Sequence, residues 1–237
     1  MATSIVSNNT AATFGNSPQK TGEPVDRLSI YSGKALEFDG VTDYLKGDAV
    51  ALDIGSGECT FTAWVKFDDV SASSNIGFIV NNTTDSNNRA ILMKDDSKVV
   101  FGVIHDGSHS AIGSSAVIAD KWYRIVGTNT STTVKIYLDG VEHDVATATS
   151  SAYNNVSYTV GASAAPASYL GCKICDVQIW NKKWELSDVT YDYLNPENLI
   201  TDNTNVTSDI TTSNLLLWLP MNDTGITTPQ TVVFDGA

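Results

Sequence analysis

The stretch KALEFDGVTDYLK, residues 34–46, carries two aspartates that could do chemistry, Asp39 and Asp43. Neighbouring carboxylates supply the oxygen donors that calcium prefers, or the acid and base of a hydrolase. The same residues also suit a turn, because an Asp side chain can bond its own backbone and Gly40 tolerates a positive φ. We interpret Asp39-Gly40 chiefly as a turn between strands, and a metal role for Asp39 stays open.

A pair of cysteines offers a second kind of chemistry. Cys172 and Cys175 stand in a C-x-x-C spacing, which occurs in redox and zinc sites. They lie on a predicted strand, where residues i and i+3 point to opposite faces, and no second ligand pair accompanies them. We therefore interpret them as packing or surface thiols. The odd total of three cysteines indicates free thiols made in a reducing compartment rather than a disulfide framework.

Two aromatic residues suggest a sugar contact. In the strand CTFTAWVKF, alternation puts Trp64 on the non-core face beside Thr62 and Lys66. By the same alternation Tyr137 lies opposite the aliphatic residues of its own strand. An aromatic ring with polar neighbours can stack on a sugar. The alternative is that the N-terminal arm, the C-terminal tail or a second subunit covers this face.

The elements that must position these residues are mostly strands. Apolar residues recur at every second position, and Asp139-Gly140 predicts a tight hairpin. One helix is predicted at residues 187–194, capped by Ser187 and ended by Asn195-Pro196. This pattern predicts an all-β antiparallel sandwich or barrel. The predicted strands are Cys59–Phe67, Ile76–Val80, Ala90–Lys94, Val99–Ile104, Trp122–Thr128, Val134–Leu138, Val156–Val160 and Cys172–Trp180.

The chain divides into three predicted parts. The first part is a polar arm without independent stability, residues 1–33. The second is the sandwich, residues 34–198. The third is a linker with a C-terminal strand extension, residues 199–237. The late apolar run Leu215–Met221 precedes a second FDG motif at residues 234–236. It either completes the sandwich of this or a neighbouring subunit, or begins an incomplete second repeat.

Charge and hydropathy exclude several classes of partner. The net charge is −13, and the 14 basic residues are scattered, so binding to nucleic acid is not expected. No apolar run reaches the roughly 18 residues of a membrane-spanning helix. The N-terminus lacks the basic start and apolar core of a secretory signal, so we expect no export by that route.

Four motifs in order carry a family resemblance. They are ALEFDGVTDYL, CTFTAWVKF, KWYRIVGTN with VKIYLDGV, and GCKICDVQIWNKKWELSDV. This series resembles the laminin-G-like branch of the concanavalin A-like lectin/glucanase superfamily, over about Ala35 to Leu194. The resemblance implies a two-sheet antiparallel jelly roll. The segment DVQIWN and the residues after it also look like versions found in virion structural proteins of tailed bacteriophages.

The resemblance implies two further kinds of site. Many relatives hold a structural calcium near the FDG turn, with an Asp at the start of the last strand. In this chain Cys175 takes the place of that Asp and Asp176 follows it, so a calcium held by Asp39 and Asp176 would lack an inward acid. Some relatives are glycosidases with paired carboxylates on one strand face, but none of the six glutamates has that spacing.

We therefore expect a non-enzymatic virion structural protein of a tailed phage, either a capsid decoration or a fibre subunit. Its partners would be other virion proteins, sister subunits in a homo-oligomer and a cell-surface glycan, with polar arms that anchor it to the particle. The alternative is a carbohydrate-binding module or adhesin that is extracellular or on a bacterial cell surface. An endo-glycosidase is a third reading, and it lacks the expected carboxylate pair.

Overall fold

The computed structural model describes residues 5–7, 13–16, 34–47, 57–71, 76–81, 89–105, 108–147, 157–163, 168–196, 198–203 and 209–221. Within these ranges the chain forms strands, one α-helix and two short 3-10 turns. The elements are β1 (Ile5–Ser7), β2 (Thr13–Asn16), β3 (Lys34–Asp39), β4 (Leu45–Gly47), β5 (Cys59–Phe67), β6 (Ile76–Asn81), β7 (Arg89–Asp95), β8 (Lys98–His105), β9 (Ser108–Ala116), β10 (Trp122–Asn129), β11 (Thr133–Leu138), β12 (Val141–Thr147), β13 (Tyr158–Val160), β14 (Gly171–Trp180), α1 (Leu186–Leu194) and β15 (Leu215–Leu219), with 3-10 turns at Ile200–Asp202 and Thr212–Asn214.

The strands form two antiparallel sheets. One has the order β1-β4-β13-β6-β7-β8-β9, and the other has the order β12-β11-β10-β5-β14-β3-β2, with β15 also beside β14. The predicted all-β two-sheet jelly roll is therefore confirmed. The Asp139-Gly140 hairpin is confirmed as well, because both residues have positive φ, 51° and 82°.

The inner face of β5 builds the core between the sheets. Phe61 packs against Phe101, and Phe67 packs against Phe78, with ring centroids 5.9 and 5.7 Å apart. Each pair joins the two sheets, and burial of such side chains stabilises the fold by about 1.5–3 kcal/mol apiece. Gly127 lies beneath the Phe101 ring, where a side chain would collide with it.

The polar residues on the outer face of β5 predict a face exposed to solvent. In the structure this face is covered. Thr60, Thr62 and Trp64 are buried, while Lys66 is partly exposed. The Thr60 hydroxyl donates to the Lys182 carbonyl at 2.8 Å and accepts the Trp184 N–H at 2.9 Å. These bonds fasten the chain before α1 onto the sheet, so the helix forms a third layer over this face.

Helix α1 confirms the predicted helix with a different start. Glu185 is the N-cap residue and its N–H donates to the Asp188 side chain at 2.9 Å, so Ser187 lies inside the first turn. At the other end the Asn195 N–H donates to the Tyr191 carbonyl at 2.8 Å. An apolar group, here called the outer cluster, packs between the helix and the sheet. Its members are Val126, Tyr137, Trp180, Trp184, Val189, Ile200 and Ile210.

A buried arginine joins the helix to the sheet. The Nε and Nη2 atoms of Arg124 each donate to the Asp192 carboxylate at 2.6 Å. Nη1 donates to the carbonyl of Asp176 at 3.0 Å, and Nη2 lies 3.0 Å from the carboxylate of the same residue. One side chain therefore ties β10 to both β14 and α1.

Asp176 reaches this arginine because β14 bulges. The register with β5 shifts between Cys175 and Gln178, and Asp176 has a φ of 50°. Cys172 lies opposite Phe67 and Cys175 opposite Trp64, so the two thiols point to opposite faces, as predicted. Both are buried thiols and neither forms a disulfide, and burial raises the pKa of the Cys172 thiol.

The terminal segments also contribute strands. In the predicted arm, the backbone of β1 pairs with β4 and that of β2 pairs with β3. In the predicted C-terminal extension, β15 pairs with β14 of the same chain, so it completes this sandwich. The second FDG motif, at residues 234–236, lies outside the described residues. No helix in the described part of the chain is long and apolar enough to cross a membrane.

We predict that Gly127→Ala destabilises the protein by about 1–3 kcal/mol, because the new Cβ would lie 2.3 Å from the Phe101 ring. Gly113→Ala is the matched control, since its Cβ would meet no atom closer than 3.7 Å. Urea unfolding of both variants measures the difference. Equal midpoints for the two variants would contradict the packing described for Gly127.

We also predict that Arg124→Met lowers the free energy of unfolding by about 3–5 kcal/mol, because two buried carboxylates lose their cation. Lys135→Met is the control, as its ion pair with Glu142 is partly exposed and should contribute about 0–1 kcal/mol. Chemical denaturation of the two variants tests this. Similar losses in both would show that Arg124 is not the link between the layers.

Candidate functional site

Asp39 organises the loop between β3 and β4. Its Oδ1 accepts the N–H groups of Val41, Thr42 and Asp43 at 2.8, 2.9 and 3.0 Å, and Gly40 has a φ of 71°. This is the turn geometry that the sequence predicts. Although burial raises the pKa of Asp39, the N–H bonds outweigh it and hold that pKa below its ordinary value.

Asp43 lies under the same loop and is 1% exposed. Its Oδ2 accepts the Asp39 N–H at 3.0 Å, while its Oδ1 has no hydrogen-bond partner within the described residues. Burial, and to a lesser extent the charge of Asp39, raises the pKa of Asp43. The loop thus holds one carboxylate saturated with N–H donors and one that is desolvated.

The two predicted calcium ligands do not meet. Gly171, at the start of β14, pairs with Asp39, and Asp176 lies five residues further along, about 16 Å away at the usual rise of a strand. The Asp176 carboxylate instead faces the Arg124 guanidinium and accepts the Trp218 N–H at 2.8 Å. No group of three His, Cys, Asp or Glu residues in the described ranges could hold a metal ion. The residues present therefore do not fit a calcium site between Asp39 and Asp176.

Trp64 and Tyr137 lie under the third layer, which corrects the expectation that they contact a sugar. Trp64 is 3% exposed, its ring lies 6.0 Å from that of Tyr193, and the Arg124 guanidinium lies 5.9 Å above it. Tyr137 belongs to the outer cluster, and burial raises its pKa to about 12. The face is covered as the alternative anticipated, but by α1 of the same chain.

A different pair of aromatic residues lies at the end of the sandwich. Tyr44 and Tyr169 are partly exposed, with ring centroids 6.1 Å apart and planes tilted by 49°. Val41 beside them is 67% exposed. Tyr44 lies shortly after the FDG motif, so the sequence could predict its position at the turn after β3. The strand pairing that brings Tyr169 to it leaves no local signal in the sequence.

Two carboxylates lie at the same end of the sheet as this aromatic pair. β3 and β5 end at the point where β14 begins, so Asp39, Asp68 and Gly171 share one end of the sheet. The Asp68 N–H donates to the Gly171 carbonyl at 3.1 Å. Burial raises the pKa of Asp68, partly offset by Lys173. We call this region the rim, formed by residues 39–44, Asp68 and residues 169–171.

Two carboxylates also converge at Arg124, but they are unsuited to catalysis. Asp176 and Asp192 both lie within hydrogen-bond distance of one guanidinium and are buried beneath α1. A general acid must reach its substrate, and these two carboxylates are covered by α1 and engaged with Arg124. This pair stabilises the third layer instead.

Comparison with known proteins agrees with this architecture. The family model described as "Concanavalin A-like lectin/glucanases superfamily" matches residues 39–190. Domain 4 of AbnA, a GH43 extracellular arabinanase from Geobacillus stearothermophilus solved in complex with arabinotriose, is 16% identical with a TM-score of 0.56. The alignment covers 78% of this chain and 85% of that one.

Neurotoxin binding domains are similar as well. The botulinum neurotoxin serotype G binding domain is 11% identical, with a TM-score of 0.57 over 80% of this chain and 50% of that one. The chain thus spans about half the length of such toxin domains, and at this identity the likeness concerns the fold. No curated protein sequence matches the chain significantly. The family match over well over half of the chain, together with the two-sheet jelly roll, shows that the protein belongs to the concanavalin A-like lectin/glucanase superfamily.

Proposed function

We propose that this protein is a non-enzymatic, glycan-binding structural protein of a tailed-phage virion, either a capsid decoration or a fibre subunit. The observation that carries the binding part is the partly exposed Tyr44–Tyr169 pair among the carboxylates of the rim. Tyrosine rings stack on the apolar face of a sugar, and carboxylate oxygens accept its hydroxyl protons. At the rim the two rings supply the stacking surface, and the exposed Asp68 supplies a carboxylate.

Similar proteins support a carbohydrate ligand. The arabinanase domain was solved with arabinotriose, and another similar structure is that of botulinum neurotoxin type C, whose cell entry depends on interaction with two ganglioside molecules. That toxin chain is 15% identical, with a TM-score of 0.54, so it supports the proposal through the fold alone.

The arrangement of the carboxylates supports a binding role rather than hydrolysis. Glycosidases of this fold need an acid and a nucleophile or base that reach the substrate. The converging pair at Arg124 is neutralised and covered, and Asp39 is saturated by backbone N–H groups. A reducing-sugar release assay on the purified protein separates an endo-glycosidase from a binding module.

The virion part of the proposal rests on the resemblance of DVQIWN and the following residues to phage structural proteins. These residues form the end of β14, which contributes Gln178 and Trp180 to the outer layer. Other virion proteins and sister subunits of a homo-oligomer would be the protein partners. The alternative is a carbohydrate-binding module or adhesin on a bacterial cell surface, which the same fold and rim would equally serve.

We predict that a glycan array gives a specific hit that survives chelation of calcium, because no metal-holding group was found among the described residues. Tyr44→Ala and Tyr169→Ala should each weaken the affinity for that glycan about fivefold, since each removes a stacking ring. Tyr169→Phe keeps the ring and should retain most of the affinity. Circular dichroism confirms that each variant is folded.

A blank array would contradict the glycan-binding proposal. Binding that both alanine variants retain would place the sugar elsewhere than the rim, and loss of binding with chelator would establish a cation in the site. These three outcomes can be told apart because they concern, in turn, the array signal, the affinity of the alanine variants and the effect of the chelator.

The location on a particle generates its own prediction. Antibodies against the purified protein, used in immunogold microscopy of an infected culture, should label tailed particles at a regular position. Label confined to the bacterial envelope would overturn the virion proposal in favour of the adhesin. Preimmune serum is the control, and mass spectrometry of purified particles gives an independent readout.

A further inference from the structure

Strand β12 forms one end of the eight-stranded sheet. It pairs with β11 and with no other strand in the described residues, although β9 of the seven-stranded sheet packs near it. Its residues 141–145 are all exposed, in contrast with the buried strands β10 and β11. Val141 is 59% exposed and Val145 is 47% exposed. An edge of this kind presents backbone groups to any strand that pairs with it.

The side chains of β12 are both apolar and acidic. Glu142 and Asp144 stand between Val141, His143 and Val145. A register shift sets Asp144 opposite Ile136 and Glu142 opposite Tyr137, so His143 is the extra residue of a bulge and the two carboxylates lie on different faces of the sheet. Each face of the edge therefore offers one valine for packing and one carboxylate, and the Glu142 carboxylate is shared with Lys135.

The strand is already in place without a partner. Lys135 binds Glu142 at 2.7 Å, and the Asp144 carboxylate accepts the Val145 N–H at 2.8 Å. On the side of β9, the Nδ1 atom of His143 lies 2.9 Å from the Ser115 hydroxyl. An incoming strand thus meets a preformed edge, which lowers the ordering cost of binding.

A second copy of the chain is a poor occupant of this edge. Antiparallel self-pairing about a two-fold axis on Glu142 or on Asp144 sets that carboxylate directly opposite its own copy. Like charges opposite each other destabilise a strand pair. The net charge of −13 adds a general repulsion between copies.

We propose that β12 is a docking edge for an extended, basic segment of a partner protein, which adds as a further strand to the eight-stranded sheet. Backbone hydrogen bonds would supply affinity, and Lys or Arg residues opposite Glu142 and Asp144 would supply specificity. Each valine would pack against an apolar residue of the segment on its own face of the sheet. This inference does not depend on the glycan site, which lies at the rim.

The test uses three capped peptides and the full chain. The basic probe is KVKKVKG, which carries Lys on both faces of a strand, the acidic probe is EVEEVEG, and the third is the basic sequence with alternate backbone nitrogens methylated. Binding is measured by fluorescence anisotropy at physiological salt. We expect the basic probe to bind about tenfold more tightly than either other peptide, because two opposite-charge pairs and the strand hydrogen bonds are lost in those.

A charge reversal separates the edge from the overall charge of the protein. E142K/D144K should reverse the preference toward the acidic probe, whereas D69K/D202K makes the same change of net charge away from β12 and should leave it intact. Equal binding of the basic probe to both double variants would overturn the proposal, as would binding of the methylated peptide as tight as that of the basic probe. No measurable binding of the basic probe would overturn it too.

Discussion

The buried guanidinium of Arg124 is the constraint on which the arrangement of the layers depends. A cation without water around it must be matched by carboxylates, and here they come from β14 and α1. The Asp176 carboxylate reaches it only because β14 bulges at that residue. The Asp192 carboxylate reaches it only because α1 lies flat across the outer face. The ion pairs therefore specify where the bulge and the helix must be.

This third layer decides where a ligand can bind. Trp64 and Tyr137 occupy the middle of the sheet, yet the helix and the segment around Trp184 cover them. Aromatic groups open to solvent are instead found at the rim, where loops connect the strands. A rigid sandwich that carries exposed residues on its loops is a common arrangement for binding proteins.

Much of the fold could be predicted from the sequence, because strict alternation in CTFTAWVKF and the Asp139-Gly140 turn are local signals. β9 could not, since SHSAIGSSA carries little hydrophobic periodicity. Alternation also separates the two faces of β5 without revealing what covers the second. That depends on Arg124 and Asp192, which are 68 residues apart. The Tyr44–Tyr169 contact is equally non-local, so the motif around Tyr44 indicated only half of the rim.

The central position of β5 has a consequence for how the chain folds. β5 pairs with β10 on one side and with β14 on the other. The Thr60 hydroxyl donates to the carbonyl of Lys182, which lies 122 residues later in the chain. Such pairing must close a long loop before it gains any contact energy, which makes folding slow in topologies of this type. During synthesis, the inner strand of the sheet keeps one edge unpaired until residues 171–180 have left the ribosome. The nascent protein consequently passes through a long interval in which this largely apolar strand is open to misassociation.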